Sequence, residues 1–182
     1  PWAHALAHAH AQGGVHRDVK PSNILVDRHG RPRLTDFGLA RMVGGARDTA
    51  DGQLLGTPAY MAPEQAKGEE ASAAMDVHAL GAVLFHAVAG EPPRAGHAAG
   101  EVLRRLLAEE APRLRSRRTD CPAALDAVVA ATLRSQAHER PTAAALREEL
   151  QRFLQGVPVH ALQLGAFERG RLWARRHRRA LT

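Results

Sequence analysis

The 182-residue sequence has a single cysteine, Cys121. That excludes a disulfide framework and any zinc site built from several thiolates, and it fits a reducing compartment. No apolar run approaches the roughly 18–20 residues that a membrane-spanning helix needs. The most apolar stretch, Val77 to Gly90, is broken by His78, Gly81 and His86 and reads as a buried helix. There is no charged-then-apolar leader, and the chain opens on Pro1 rather than Met, so a piece of a longer protein is expected. Net positive charge is small through most of the length. Of the formal +6, the end from Glu168 to Thr182 holds +5 through six arginines and one glutamate, which leaves +1 for everything before it. A basic balance confined to one end is not that of a nucleic-acid-binding body, and no nucleic-acid partner is expected.

What is present suits one ordinary domain with a proper core. Apolar residues make up 45% of the chain, too many for a wholly disordered one. Ala3 to Gln12 is alanine-rich and free of breakers, which predicts a helix ended by Gly13-Gly14. Ile24-Leu25-Val26 and Arg33-Leu34-Thr35 are short β-type runs. Asp27 to Gly30 supplies turn chemistry between them, so they read as a hairpin with Pro32 at its margin. Arg41 to Gly56 has little periodicity and reads as a long surface loop. The remainder is helical: Asp76 to Ala89, a helix carrying Val102 to Leu107, one opened by Pro122, and a last one opened by Pro141 and ended by Gly156 and Pro158.

The segment His16-Arg17-Asp18-Val19-Lys20-Pro21-Ser22-Asn23 puts an acid, a cation and an amide close together before the first strand. Asp36-Phe37-Gly38 follows the second strand, and a hairpin brings its two ends together. An aspartate carboxylate and an asparagine carbonyl are hard oxygen ligands suited to Mg²⁺ shared with phosphate. Lys20 can neutralise phosphate charge, and Asp18 is left to accept a proton from an attacking hydroxyl. These are the parts that phosphoryl transfer needs.

The motifs His16 to Asn23, Asp36-Phe37-Gly38 and Ala62-Pro63-Glu64, in this order and spacing, resemble the protein-kinase signature set. Gly56 to Met61 resembles that family's substrate-facing segment, Asp76 to Gly81 the start of its central helix, and His138 to Pro141 a turn whose arginine pairs with Glu64. The wording Gly56 to Gln65 is similar to bacterial, eukaryotic-like serine/threonine kinases. The resemblance implies a mainly α (α+β) fold: the larger kinase lobe over residues 1–156, with a short catalytic hairpin and a helical bundle, then a basic tail over 157–182. It implies ATP and Mg²⁺ as cofactors and a protein substrate. Asp18 would be the catalytic base, Lys20 would contact the transferred phosphate, Asn23 and Asp36 would hold Mg²⁺, and Thr57 would orient Asp18 and Lys20. Glu64 would pair with Arg140, and Asp76 would bind the backbone of the His16-Arg17 turn. Arg17 would be free to receive a phosphate from the loop, where Thr49 reads either as an autophosphorylation site or as a tolerated surface hydroxyl. The glycine-rich loop, strand lysine and helix glutamate of the smaller lobe are missing before His16, so that lobe is an expected partner and the isolated chain is expected to be inactive. His16 and Phe37 would stack beneath the absent lobe, leaving Phe37 toward water and an exposed face prone to aggregation.

Rival readings are a non-catalytic interaction module and a truncated fragment. His4 and His8, with His10 nearby, have a spacing that could hold a metal, but no third ligand is evident and a structural role is preferred. Cys121 reads as a small packed residue. In the tail, clustered arginines with Trp173 read either as a solvated basic helix end or, as preferred, as a segment at the cytoplasmic face of a membrane, which gives a cytoplasmic setting with a membrane surface as a further expected partner.

Overall fold

The computed structural model describes residues 2–37, 58–96 and 98–162. Gly38, Thr49 and Thr57, the loop around Thr49, and the arginine-rich end lie outside the described residues.

The chain begins with α1 (Trp2–Ala11), which gives way to a segment ending in one 3-10 turn, Pro21–Asn23. The hairpin follows, with β1 (Ile24–Val26) antiparallel to β2 (Pro32–Leu34). The second strand starts one residue earlier than expected, with Pro32 as its first residue, at the margin as expected and opposite Val26. Antiparallel pairs alternate between bonded and unbonded. Thr35 N donates to Asn23 O and Asp27 N to Arg31 O, so the Val26–Pro32 pair is unbonded and the missing proline N–H costs no ladder bond.

The helical part comprises α2 (Pro63–Ala66), α3 (Ala73–Ala89), α4 (Ala99–Ala108), α5 (Ala123–Thr132) and α6 (Ala143–Leu154). α3 is the axle of the lobe. Met75 through Val83 are buried without interruption, which suits a helix surrounded by protein on all sides. On one side Val77, Leu80 and Val83 join Ala3 and Leu6 of α1, Val128 of α5 and Leu146 of α6. On the other, Ala82 and Phe85 meet Leu114, Cys121, Val129 and Leu133. Cys121 is packed as expected.

Helix starts depart from the expected positions. α3 begins at Ala73, before Asp76, and Pro122 and Pro141 lie outside their helices rather than opening them. Thr142 caps α6, its hydroxyl accepting from Ala145 N at 3.1 Å. Folded structure also runs past the expected boundary at 156: Val159 is part of the main core.

Candidate active site

The site is assembled where the segment after α1 crosses the N-terminal end of α3. Asp76, on the first turn of α3 and buried, accepts from His16 N through Oδ2 (2.8 Å) and from Arg17 N through Oδ1 (2.7 Å). His10 of α1 reaches the same Oδ2 at 2.8 Å. From the other side, Gln65 Nε2 donates to Arg17 O at 2.9 Å. Arg17 needs such a grip, because its φ of +71° is left-handed, a conformation that costs an L-residue about 1–2 kcal/mol. Charge-assisted bonds to a buried carboxylate offset that cost.

His16 differs from the expectation. It is fully buried inside this lobe rather than waiting beneath another one. Its Nδ1 accepts from Asp18 N (3.3 Å), so the ring proton sits on Nε2, which donates to Thr35 O at 2.8 Å. The ring thereby ties the acid-bearing turn to the end of β2. Phe37 meets it edge-on, with centroids 4.6 Å apart, and is itself 44% exposed.

Three of the polar residues are drawn into one cluster. Lys20 Nζ lies 2.8 Å from Asp18 Oδ2. Asn23 Nδ2 donates to Asp18 O (2.8 Å) and to Asp18 Oδ2 (3.1 Å). The backbone supplies this closeness, since Asn23 N closes the 3-10 turn on Lys20 O. Asp36 is attached through a residue the sequence reading passed over. The Thr35 hydroxyl lies 3.2 Å from Asn23 O and 3.3 Å from Asp36 Oδ2, so it bridges the two ends of the hairpin. Asp36 also adopts a left-handed φ, +63°, which aspartate tolerates better than most residues.

The donor chemistry fits a hard divalent cation. Both amide hydrogens of Asn23 that form bonds are directed at Asp18, which leaves its carbonyl oxygen as a ligand, and the Asp36 carboxylate engages only Thr35 among the described residues. The three histidines of α1 do not gather. His10 is taken by Asp76, His4 faces Arg147 at 3.2 Å, and among the described residues no three His, Cys, Asp or Glu side chains form a metal-binding group.

Away from the cluster, Glu64 of α2 and Arg140 form a two-pronged buried pair, with Nη2 to Oε2 at 2.8 Å. Arg140 also donates to the carbonyls of Ala74, Arg134 and Ser135. The pair pins α2 to the loop before α6. Two further buried carboxylates had no motif to announce them: Asp126, held by Arg113, and Glu149 on α6.

A family model described as the protein kinase domain matches residues 2–150. The serine/threonine-protein kinase PkaA of Streptomyces coelicolor is 42% identical over 171 residues, 91% of this chain and 31% of that protein. The DNA damage-responsive serine/threonine-protein kinase RqkA of Deinococcus radiodurans is 43% identical over 78% of this chain and 21% of its own length. The serine/threonine-protein kinase PknB of Mycobacterium tuberculosis is 37% identical over 86% of this chain and 26% of its own length. The chain thus spans a fifth to a third of these curated relatives.

Proposed function

The chain belongs to the protein kinase family, and we propose that it forms the larger lobe of a serine/threonine protein kinase, transferring the γ-phosphate of ATP to a protein hydroxyl. The observation that carries this reading is the bonded cluster of Asp18, Lys20 and Asn23, with Asp36 joined to it through Thr35.

In the proposed step the substrate hydroxyl oxygen forms a bond to the γ-phosphorus while the bond from that phosphorus to the β,γ-bridging oxygen breaks and ADP departs. The hydroxyl proton passes to Asp18, whose side chain is 41% exposed and so reachable by a substrate. Asn23 orients that carboxylate through its amide. Lys20, paired with Asp18 at 2.8 Å, would meet phosphate oxygens. Asn23 and Asp36 would hold Mg²⁺, which when bound supplies positive charge to the phosphate oxygens. Leu25 (56% exposed), Val26 (67%) and Phe37 present an uncovered apolar edge beside the site. That edge supports the reading that a smaller lobe closes over the hairpin and completes the nucleotide site. For the longer protein we propose a cytoplasmic setting with the arginine-rich end at a membrane face, which the residues encoded after Thr182 test.

Mn²⁺ with ADP tests the site in the chain itself, because a paramagnetic ion reports weak binding. The Asn23 side-chain amide and the Asp36 backbone resonances are expected to broaden first, and Asp36→Asn to remove the effect. Broadening that spares both residues, or that persists in Asp36→Asn, contradicts the proposal.

A further inference from the structure

The chain does not leave the lobe where α6 ends. Gly156 adopts φ +66° and turns the backbone. Val157 N donates to Arg152 O (2.9 Å), and Arg152 Nε donates to Pro158 O (2.7 Å). Val159 then enters the core cluster that also holds Ala3 and Leu6 of α1 and Leu146 of α6, and Ala161 and Leu162 pack on the same cluster. Glu149, a buried carboxylate on α6, closes the arrangement. Its Oε1 accepts from His160 N (3.1 Å) and His160 Nδ1 (2.7 Å), and its Oε2 from Ala161 N (2.7 Å). Burial alone would raise its pKa, but the bonds donated by Ala161 and His160 outweigh burial and hold the carboxyl below its ordinary value.

α1 shares the core with this segment and bonds the carboxylate that holds the turn before Asp18. Ala3 and Leu6 share the core with Val159, while His10 on the same helix bonds Asp76, the carboxylate that grips the Arg17 backbone. Glu149 and Arg17 are thus linked through a shared core and the His10–Asp76 bond, and Arg17 is held at positive φ. A strained residue persists only while its surroundings over-determine it, so the Arg17 turn is sensitive to anything that shifts α1.

We propose that residues 157–162 form a strap, latched by Glu149, which fixes α1 in the position where His10 and Asp76 keep the Arg17 turn in its strained conformation. Release of the strap then loosens that turn. The consequence for catalysis rests on the kinase reading above; the mechanical coupling does not.

Amide hydrogen exchange on the 182-residue chain tests the coupling. In Glu149→Ala the His160 and Ala161 amides are expected to exchange about tenfold faster, and the His16 and Arg17 amides about threefold faster or more, while Val128 and Val129 of α5 change by less than about twofold. Unchanged rates at His16 and Arg17, with His160 and Ala161 accelerated, overturn the proposal. Equal acceleration at Val128 and Val129 also overturns it, since the loss is then global. Should Glu149→Ala fail to fold, His160→Ala removes one of the latch bonds, and the same order of effects at smaller size is required. A failed Mn²⁺ contact at Asn23 and Asp36 would remove the catalytic meaning and leave the exchange result standing, which keeps the two proposals separable.

Discussion

Replacing Arg140 with methionine keeps most of the aliphatic stem and removes every polar contact the guanidinium makes. The structure fixes what is lost. The Glu64 carboxylate, 6% exposed, is left buried without a counter-charge, and the carbonyls of Ala74, Arg134 and Ser135 lose their donors. Removing one partner of a buried pair costs about 3–5 kcal/mol, against a total stability of about 5–15 kcal/mol for a domain. At about 2–4 °C per kcal/mol for a chain of this size, the melting temperature should fall by roughly 6–20 °C. Urea denaturation followed by far-ultraviolet circular dichroism measures the cost. Adding Glu64→Leu to Arg140→Met should recover at least about 1 kcal/mol, because the abandoned charge goes with it. An Arg140→Met cost below about 1 kcal/mol, or a double variant less stable than Arg140→Met, would refute the reasoning that the pair is a buried, mutually dependent lock.

Three further outcomes are expected. His78 is wholly buried with neither ring nitrogen bonded, and burial, with the charges of Arg140 and Arg94, holds it neutral well below the ordinary histidine value of 6.5. The unfolded chain therefore takes up a proton that the folded one refuses. Stability is full above pH 6.5 and falls below it, by up to about 1.4 kcal/mol per pH unit; His78→Leu should flatten the urea midpoint between pH 7 and 5, and an unaltered slope speaks against this. A Cβ on Gly81 would lie 1.9 Å from Thr132 Oγ1 and 2.7 Å from Thr132 Cβ, so Gly81→Ala should destabilise by about 1–3 kcal/mol in spite of alanine's better helix propensity. A stabilised variant would mean that α3 and α5 are not in such close contact. Asp76→Asn keeps the shape but removes the charge that grips His16 N and Arg17 N; these two amides should lose exchange protection before those of β1 do, and the reverse order counts against the role given to Asp76.

The hairpin was legible because its signals are local: two short β-type runs, a turn sequence between them, and motifs at both ends. Pro32 at the margin of the second strand was legible too; that its missing N–H falls at an unbonded pair was not, since that alternation depends on register, which only the partner strand sets. The start of α3 was hidden for a different reason. Ala73 and Ala74 are good helix formers but add nothing to an apolar period that begins further on. Thr142 was a readable cap that the neighbouring proline obscured. Glu64 and Arg140, 76 positions apart, could be paired only through the family motif, and Asp76 likewise, because nothing in spacing or composition links such distant groups. Thr35 and Glu149 carried no motif at all. Their roles arise from what the fold places beside them, a hairpin's other end in one case and a returning strap in the other. The burial of His16 reversed an expectation borrowed from a two-lobed arrangement, because Thr35 O and Asp18 N within this lobe already satisfy the ring.

The central claim is that Asp18 takes the proton of an alcohol while its neighbours hold the phosphate. The most direct test is transfer of labelled phosphate from ATP to a serine- or threonine-containing protein, by this chain joined to a smaller kinase lobe, for wild type and Asp18→Asn. The account predicts that Asp18→Asn lowers the transfer rate by roughly 10²–10⁴-fold and leaves Mn²⁺–ADP binding at Asn23 and Asp36 intact; transfer by Asp18→Asn at the wild-type rate would contradict it.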